Sequence, residues 1–266
     1  MLTLKNVSRR YGDARTGTLA VSDLSFEIGS NEVVTMVGPS GCGKTTVLKL
    51  MAGLLSPTDG SIEIDGRPVV RPPEEIALVF QDYVNSLYPW MTVAQNVDFP
   101  LRRKAPERAI RRERVKTAID SVGLGGFEDH YPWQLSGGMQ QRVAIARGLA
   151  YQPKMLLMDE PFGALDAQTR ADLEDLVLRV RDTFGVTIVF VTHDIDESVY
   201  LADRVLVMGP RPTFIEADLP VVLPSPRDQI ETKELAEFAR VRGDVYRRIR
   251  RSSEAMRTEA TRTVTA

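Results

Sequence analysis

Apolar residues in the first quarter of the chain recur at every second position. Leu2 and Leu4, then Leu24, Phe26 and Ile28, then Ile62 and Ile64 alternate with polar neighbours. Such alternation puts one face of a strand in the core and the other in water, so the segment up to about Gly66 predicts half-buried antiparallel strands. Four short runs, at 33–37, 155–158, 187–191 and 205–208, are apolar without alternation. A strand with no polar face needs cover on both sides, which predicts a sheet between helices. Helical stretches separate these runs, as a doubly wound α/β core requires.

From 83 to 150 the strand signals stop. Ala109, Ile110, Val115, Ala118, Ile119 and Val122 recur at roughly helical spacing among arginines, which predicts an inserted helical subdomain. Arg111, Arg112 and Arg114 read as its solvated face. Pro210, Pro212, Pro220, Pro224 and Pro226 close the core, and a last helix over 233–253 places Leu235, Phe238, Val241, Val245 and Ile249 on one stripe. The organisation expected is a single domain. It comprises an α/β core at 1–82 and 151–225, the helical insert at 83–150, a helical extension at 226–256, and a polar tail at 257–266 expected to be disordered.

Composition narrows the function. A formal charge of −2 over 266 residues gives no basic excess to draw a nucleic acid, so no such partner is expected. Cys42 is the only cysteine, which rules out an internal disulfide and a multi-cysteine zinc site and suits a reducing cytosol. The N-terminus lacks the apolar stretch of a signal peptide, and no run approaches the roughly 18 apolar residues of a membrane span. Peripheral attachment to a membrane stays open.

Gly38-Pro39-Ser40-Gly41-Cys42-Gly43-Lys44-Thr45 matches G-x-x-x-x-G-K-[ST] in full, directly after the apolar run 33–37 and before the helical residues 46–52. Both contexts the motif demands are present. In such a P-loop, running here from Gly38 to Thr46, glycines let backbone N–H groups turn inward around phosphates, and the helix behind adds the positive end of its dipole. Lys44 is expected to neutralise the β- and γ-phosphates and Thr45 to ligate Mg²⁺. Cys42 occupies a variable position of the motif, so a structural role is expected rather than a redox one. The second carboxylate that a P-loop needs stands at the end of the run 155–158. Asp159 is placed for Mg²⁺, and Glu160 to accept the proton of an attacking water.

Leu135-Ser136-Gly137-Gly138-Met139-Gln140-Gln141-Arg142 is the most specific segment of the chain. Ser136, Gly137 and Gly138 open a second helix whose N-terminus suits an anion. The segment resembles the signature of ATP-binding cassette (ABC) ATPases. That resemblance covers residues 1 to about 210 and implies a RecA-like P-loop core with an antiparallel β-subdomain and the helical insert. It also implies a head-to-tail dimer with a second copy or a paralogous cassette, each ATP lying between one P-loop and the other signature. Tyr11 resembles the residue that stacks on adenine, and Gln81 the glutamine that touches Mg²⁺ and the attacking water. Asp166 resembles the aspartate that crosses the dimer interface, and His193 the histidine that contacts the γ-phosphate. Met139 replaces a common glutamine, and Gly148 interrupts the signature helix at a cost of roughly 1 kcal/mol against alanine.

Tyr131-Pro132-Trp133-Gln134 resembles the lead-in to the signature of bacterial importers, and Leu87-Tyr88-Pro89-Trp90-Met91-Thr92-Val93 after Phe80-Gln81 resembles a segment of the importers of nitrate, sulfonates and taurine. The resemblance implies an ATPase at the cytoplasmic face of a membrane, working with separate transmembrane permease subunits and indirectly with an extracytoplasmic binding protein. The sugar importers' extra C-terminal β-domain is not expected, since the sequence ends at Ala266. The alternatives are an exporter cassette and a soluble ABC machine acting on nucleic acid, which usually has paired cassettes or a long coiled-coil insertion. A GTP switch would share only the P-loop and would carry an Asn-Lys-x-Asp motif that this sequence lacks.

Overall fold

The computed structural model describes residues 1–13, 17–105, 107–163 and 165–264. The chain forms two compact units, one of Met1–Pro73 with Val189–Ala266, the other of Glu74–Ile188.

The first unit opens with β1 (Leu2–Tyr11) and β2 (Thr18–Ile28), followed by β3 (Val33–Val37), α1 (Lys44–Met51), β4 (Asp59–Ile64) and β5 (Arg67–Pro68). β1, β2, β4 and β5 make an antiparallel sheet in the order β2-β1-β4-β5. The alternating residues meet in register: Leu2 opposes Ile28 and Ile64, and Leu4 opposes Phe26 and Ile62, all of them buried. The expected antiparallel strands are therefore present, with a register shift between Leu4 and Val7 where Asn6 takes a left-handed φ of 49°.

The chain returns to this unit late. Its second visit builds α8 (Ile195–Leu201), β9 (Arg204–Met208), β10 (Ile215–Pro220), α9 (Glu231–Glu234) and α10 (Ala236–Val264). β3 is buried along its whole length and pairs parallel with β9, whose other edge takes β10 antiparallel. The expected last helix is split. Leu235 turns extended, with ψ of 138°, so α9 stops there and the apolar stripe begins at Phe238, with Val241 and Val245 buried beside it. The helix then continues through Val264, where order was not expected; residues 265 and 266 lie outside the described residues.

In the second unit β6 (Ile76–Val79) pairs parallel with β7 (Met155–Asp159). Between them run α2 (Tyr83–Ser86), α3 (Val93–Asp98), α4 (Leu101–Lys104), α5 (Arg108–Ser121), a short 3-10 turn at Pro132–Gln134, and α6 (Gly137–Ala150). α7 (Ala167–Phe184) follows β7, and β8 (Thr187–Val191) carries the chain out of the unit. The helical insert at 83–150 is thus helical as expected, and Val115, Ala118 and Ile119 form the buried side of α5. Arg111 departs from its reading as solvated surface. Its Nε donates to Asp98 at 3.0 Å and its Nη1 to the Ala105 carbonyl at 3.1 Å, tying α5 to α3 and α4.

Gly148, which no local rule explains, has a tertiary reason. A Cβ there would lie 3.1 Å from Leu156 Cδ1 and 3.7 Å from Ala77 Cβ, so the glycine lets α6 settle on β6 and β7.

Candidate functional site

The first unit carries the phosphate loop. β3 ends at Val37, the loop turns through Gly41 and Gly43 with φ of 74° and 126°, and α1 begins at Lys44. The first angle favours glycine and the second demands it. No side chain caps α1, whose N-terminal end suits an anion. Lys44 is buried, and its ammonium donates to the carbonyls of Gly38 at 3.0 Å and Pro39 at 3.3 Å, which holds its charge inside the loop. Thr45 is exposed and Thr46 half-buried on the first turn of α1; Ser40 also stays exposed at the rim. Cys42 faces inward, and burial pushes its thiol above the usual range against the opposing pull of Lys44, which fits a structural role.

Tyr11, at the end of β1, places its hydroxyl 3.4 Å from Thr46 Oγ1. The Arg9 guanidinium covers one face of its ring, 5.0 Å from the centroid, so a base has only the other face to stack on. His193 follows β8 and is exposed. The backbone on either side of it is fixed: Thr192 Oγ1 accepts from Asp194 N–H, and the Asp194 carboxylate caps α8 through the N–H groups of Asp196 and Glu197. His193 lines a cavity of about 620 Å³ together with Asp194, Asp196, Arg242 and Tyr246.

The second unit carries the acids. Asp159 closes β7 and is buried; Glu160 follows it in a left-handed conformation, φ 42°. A glutamate held there is strained, a cost that recurs at functional positions. Gln81, just after β6, donates from Nε2 to Glu160 Oε2 at 3.4 Å, so the structure brings together two residues that lie 79 apart in sequence. Asp166 caps α7, accepting from Thr169 N–H at 3.0 Å and from the Thr169 hydroxyl at 2.7 Å; these two bonds hold its carboxylate below the usual range. Ala164, two residues before Asp166, lies outside the described residues.

α6 begins as the glycines predict. Ser136 is its N-cap and accepts from Met139 N–H at 3.3 Å, while Ser136 and Gly137 are exposed. Gly138 is buried, and a Cβ there would sit 2.5 Å from Thr169 Cγ2.

Two contributors in this unit carried no sequence signal. Asn96 is fully buried; its amide donates to the carbonyls of Tyr88, Met91 and Thr92, and its oxygen accepts from Tyr88 N–H. Arg147 donates from Nη2 to Ser86 Oγ at 2.8 Å and from Nη1 to the Ser86 carbonyl. Both fix the segment after Gln81, and only a fold could reveal them.

A strand, a phosphate loop and an uncapped helix in one unit, with a strand that ends in adjacent acids in the other, define a P-loop nucleotide hydrolase. The model of the ABC transporter family matches residues 21–163, and the chain belongs to that family as one of its ATP-binding, ATP-hydrolysing cassettes. It is 41% identical over 250 residues to the nitrate transport protein NasD of Klebsiella oxytoca, covering 92% of this chain and 94% of that one. It is likewise 41% identical over 248 residues to the taurine import ATP-binding protein TauB of Jannaschia sp. (strain CCS1), covering 92% of each. Among solved structures it is similar to the cassette MJ0796 in a dimeric, post-hydrolysis state bound to ADP and Pi. There the TM-score is 0.72 at 33% identity, covering 84% of this chain and 99% of the other. Among the described residues no helix is long and apolar enough to cross a membrane.

Proposed function

We propose that this chain drives import of a small anion such as nitrate, a sulfonate or taurine, hydrolysing ATP as a head-to-tail dimer at the cytoplasmic face of a membrane. The names of its relatives support the cargo class, and the dimeric state of a similar cassette supports the pairing. In this reading Glu160 takes the proton of the attacking water, Lys44 and the N–H groups from Gly38 to Thr46 hold the phosphates, and Tyr11 stacks on the base. His193 contacts the γ-phosphate. Ser136, Gly137, Gly138 and Asp166 face the ATP of a second copy or a paralogous cassette. Thr45, Asp159 and Gln81 would hold Mg²⁺, since each offers a hard oxygen donor. The ion would screen phosphate charge.

The observation that carries the transport reading is the bond from Gln81 to Glu160 at the root of the segment that exposes Trp90. Trp90 is 68% exposed and lies 5.6 Å from Tyr88, which in turn packs 4.7 Å from Phe99, and Asn96 fixes the intervening backbone. An exposed aromatic platform on a rigid loop suits an interface with permease helices. The exporter and nucleic-acid readings lack comparable support.

The experiment is Trp90→Ala, co-expressed with its permease and binding protein, with Glu160→Gln as the hydrolysis-dead reference. Trp90→Ala is expected to hydrolyse ATP at a near-normal basal rate, to co-purify poorly with the permease and to lose uptake of nitrate or taurine. Normal uptake, or loss of the folded circular dichroism signal, defeats the interface; uptake of neither anion by the unmutated system defeats the cargo.

A further inference from the structure

The hairpin between β9 and β10 touches the P-loop at three successive places. Met208, at its start, packs so closely that a Cβ on Gly38 would lie 2.6 Å from the Met208 carbonyl oxygen. Arg211, at the tip, donates from Nη2 to the Gly41 carbonyl at 3.0 Å. The Thr213 hydroxyl donates to the Cys42 carbonyl, and the same oxygen would collide with a Cβ on Gly43.

Thr213 is fully buried, and both of its backbone groups are committed to β2. Its N–H donates to the Ala20 carbonyl at 2.9 Å and its carbonyl accepts from Ser22 N–H at 3.0 Å. With the backbone so railed, the hydroxyl is the polar group left to reach the loop. A peptide is planar, with its carbonyl and N–H on opposite sides. Holding the Cys42 carbonyl toward Thr213 therefore turns the Gly43 N–H the other way, and that N–H belongs to the donors at the start of α1 that serve an anion. Arg211 holds the peptide one earlier, whose Cys42 N–H closes on the Pro39 carbonyl at 3.2 Å, and so braces the turn that precedes Gly43.

We propose that Thr213 and Arg211 are positioning residues for the bound nucleotide: Thr213 fixes the Cys42 peptide so that the Gly43 N–H faces the phosphates, and Arg211 braces the Gly41 turn that leads into it. Thr213 contributes more, because its bond is buried and its position is locked by β2. The hairpin acts on affinity rather than on the chemical step, since neither side chain needs to touch the γ-phosphate.

Thr213→Val keeps the side chain's shape and removes the hydroxyl, Thr213→Ser restores the hydroxyl, and Arg211→Ala trims an exposed side chain. In the full purified chain, calorimetry with MgATP and steady-state hydrolysis give affinity, KM and kcat. Thr213→Val is expected to weaken binding and raise KM about tenfold while kcat at saturation stays within about twofold, and Arg211→Ala to raise KM about threefold. Thr213→Ser is expected to return to within about twofold of the unmutated chain. Unchanged affinity in Thr213→Val, a serine variant as impaired as the valine one, or a fall in kcat at constant KM overturns the proposal. If Thr213→Val fails to fold, Arg211→Ala decides, and an unchanged KM there overturns it.

Discussion

Two helices of this chain start from glycine-rich turns, and the two starts are built in opposite ways. α1 follows Gly43, whose φ of 126° admits no side chain comfortably, and no side chain caps it. α6 follows Ser136, in ordinary extended geometry at φ −65° and ψ 162°, with its hydroxyl bonded to Met139 N–H. The first start has no side-chain cap and relies on outside support from Thr213 and Arg211. The second fills one of its donors from its own cap and stands exposed in water, and Gln140 steadies it by donating to the carbonyls of Pro132 and Leu135. On the proposed reading the first terminus holds its anion within one chain and the second waits for a partner's, and only the second carries its own side-chain cap.

The sharpest test of this contrast is Lys44→Ala. Removing the charge-assisted donor at the open start is expected to weaken MgATP binding about ten- to a hundredfold in calorimetry. Unchanged affinity would erase the distinction, because α1 would then not be the phosphate end.

Ser136→Arg probes the other start. The arginine is expected to leave ATP affinity of the isolated chain within about twofold while turnover falls more than about tenfold, if the second terminus serves the closed dimer as proposed. Mixing it with Lys44→Ala is expected to restore part of the activity. Ser136→Ala, by contrast, is expected to cost about 1 kcal/mol in urea unfolding through the lost cap. A loss of first-chain affinity in Ser136→Arg would merge the two termini into one site.

The smallest effect is expected behind α6. Gly148→Ala gains roughly 1 kcal/mol of helix propensity but presses a methyl group on Leu156, which is wholly buried. Overpacking costs about 1–3 kcal/mol, so a net loss near 1 kcal/mol is expected in chemical denaturation. A gain in stability would show that α6 does not rest tightly on β7.

The fold was legible where the pattern is local. Val33–Val37 and Thr187–Val191 announce buried strands because every position in them is covered, and the P-loop because eight consecutive residues supply the whole turn. Glu160 and its strand were legible for the same reason. Thr213 was not, because it stands 171 residues from the Cys42 carbonyl it holds and nothing in its neighbourhood distinguishes it from a turn residue. Asn96 looks like a helix-surface amide until the fold buries it beneath the Trp90 loop. The break at Leu235 was hidden because the apolar spacing runs straight through it, and periodicity carries no record of one residue's ψ.

The buried Cys42 gives the molecule a built-in reporter. It is the only thiol of the chain, it sits inside the phosphate loop, and burial keeps it in the unreactive protonated form. An alkylating reagent can reach it only when the loop opens, so the rate at which the intact chain gains a single adduct mass measures how often the loop unlatches. A ligand that clamps the loop slows that clock without any probe having been engineered into the protein.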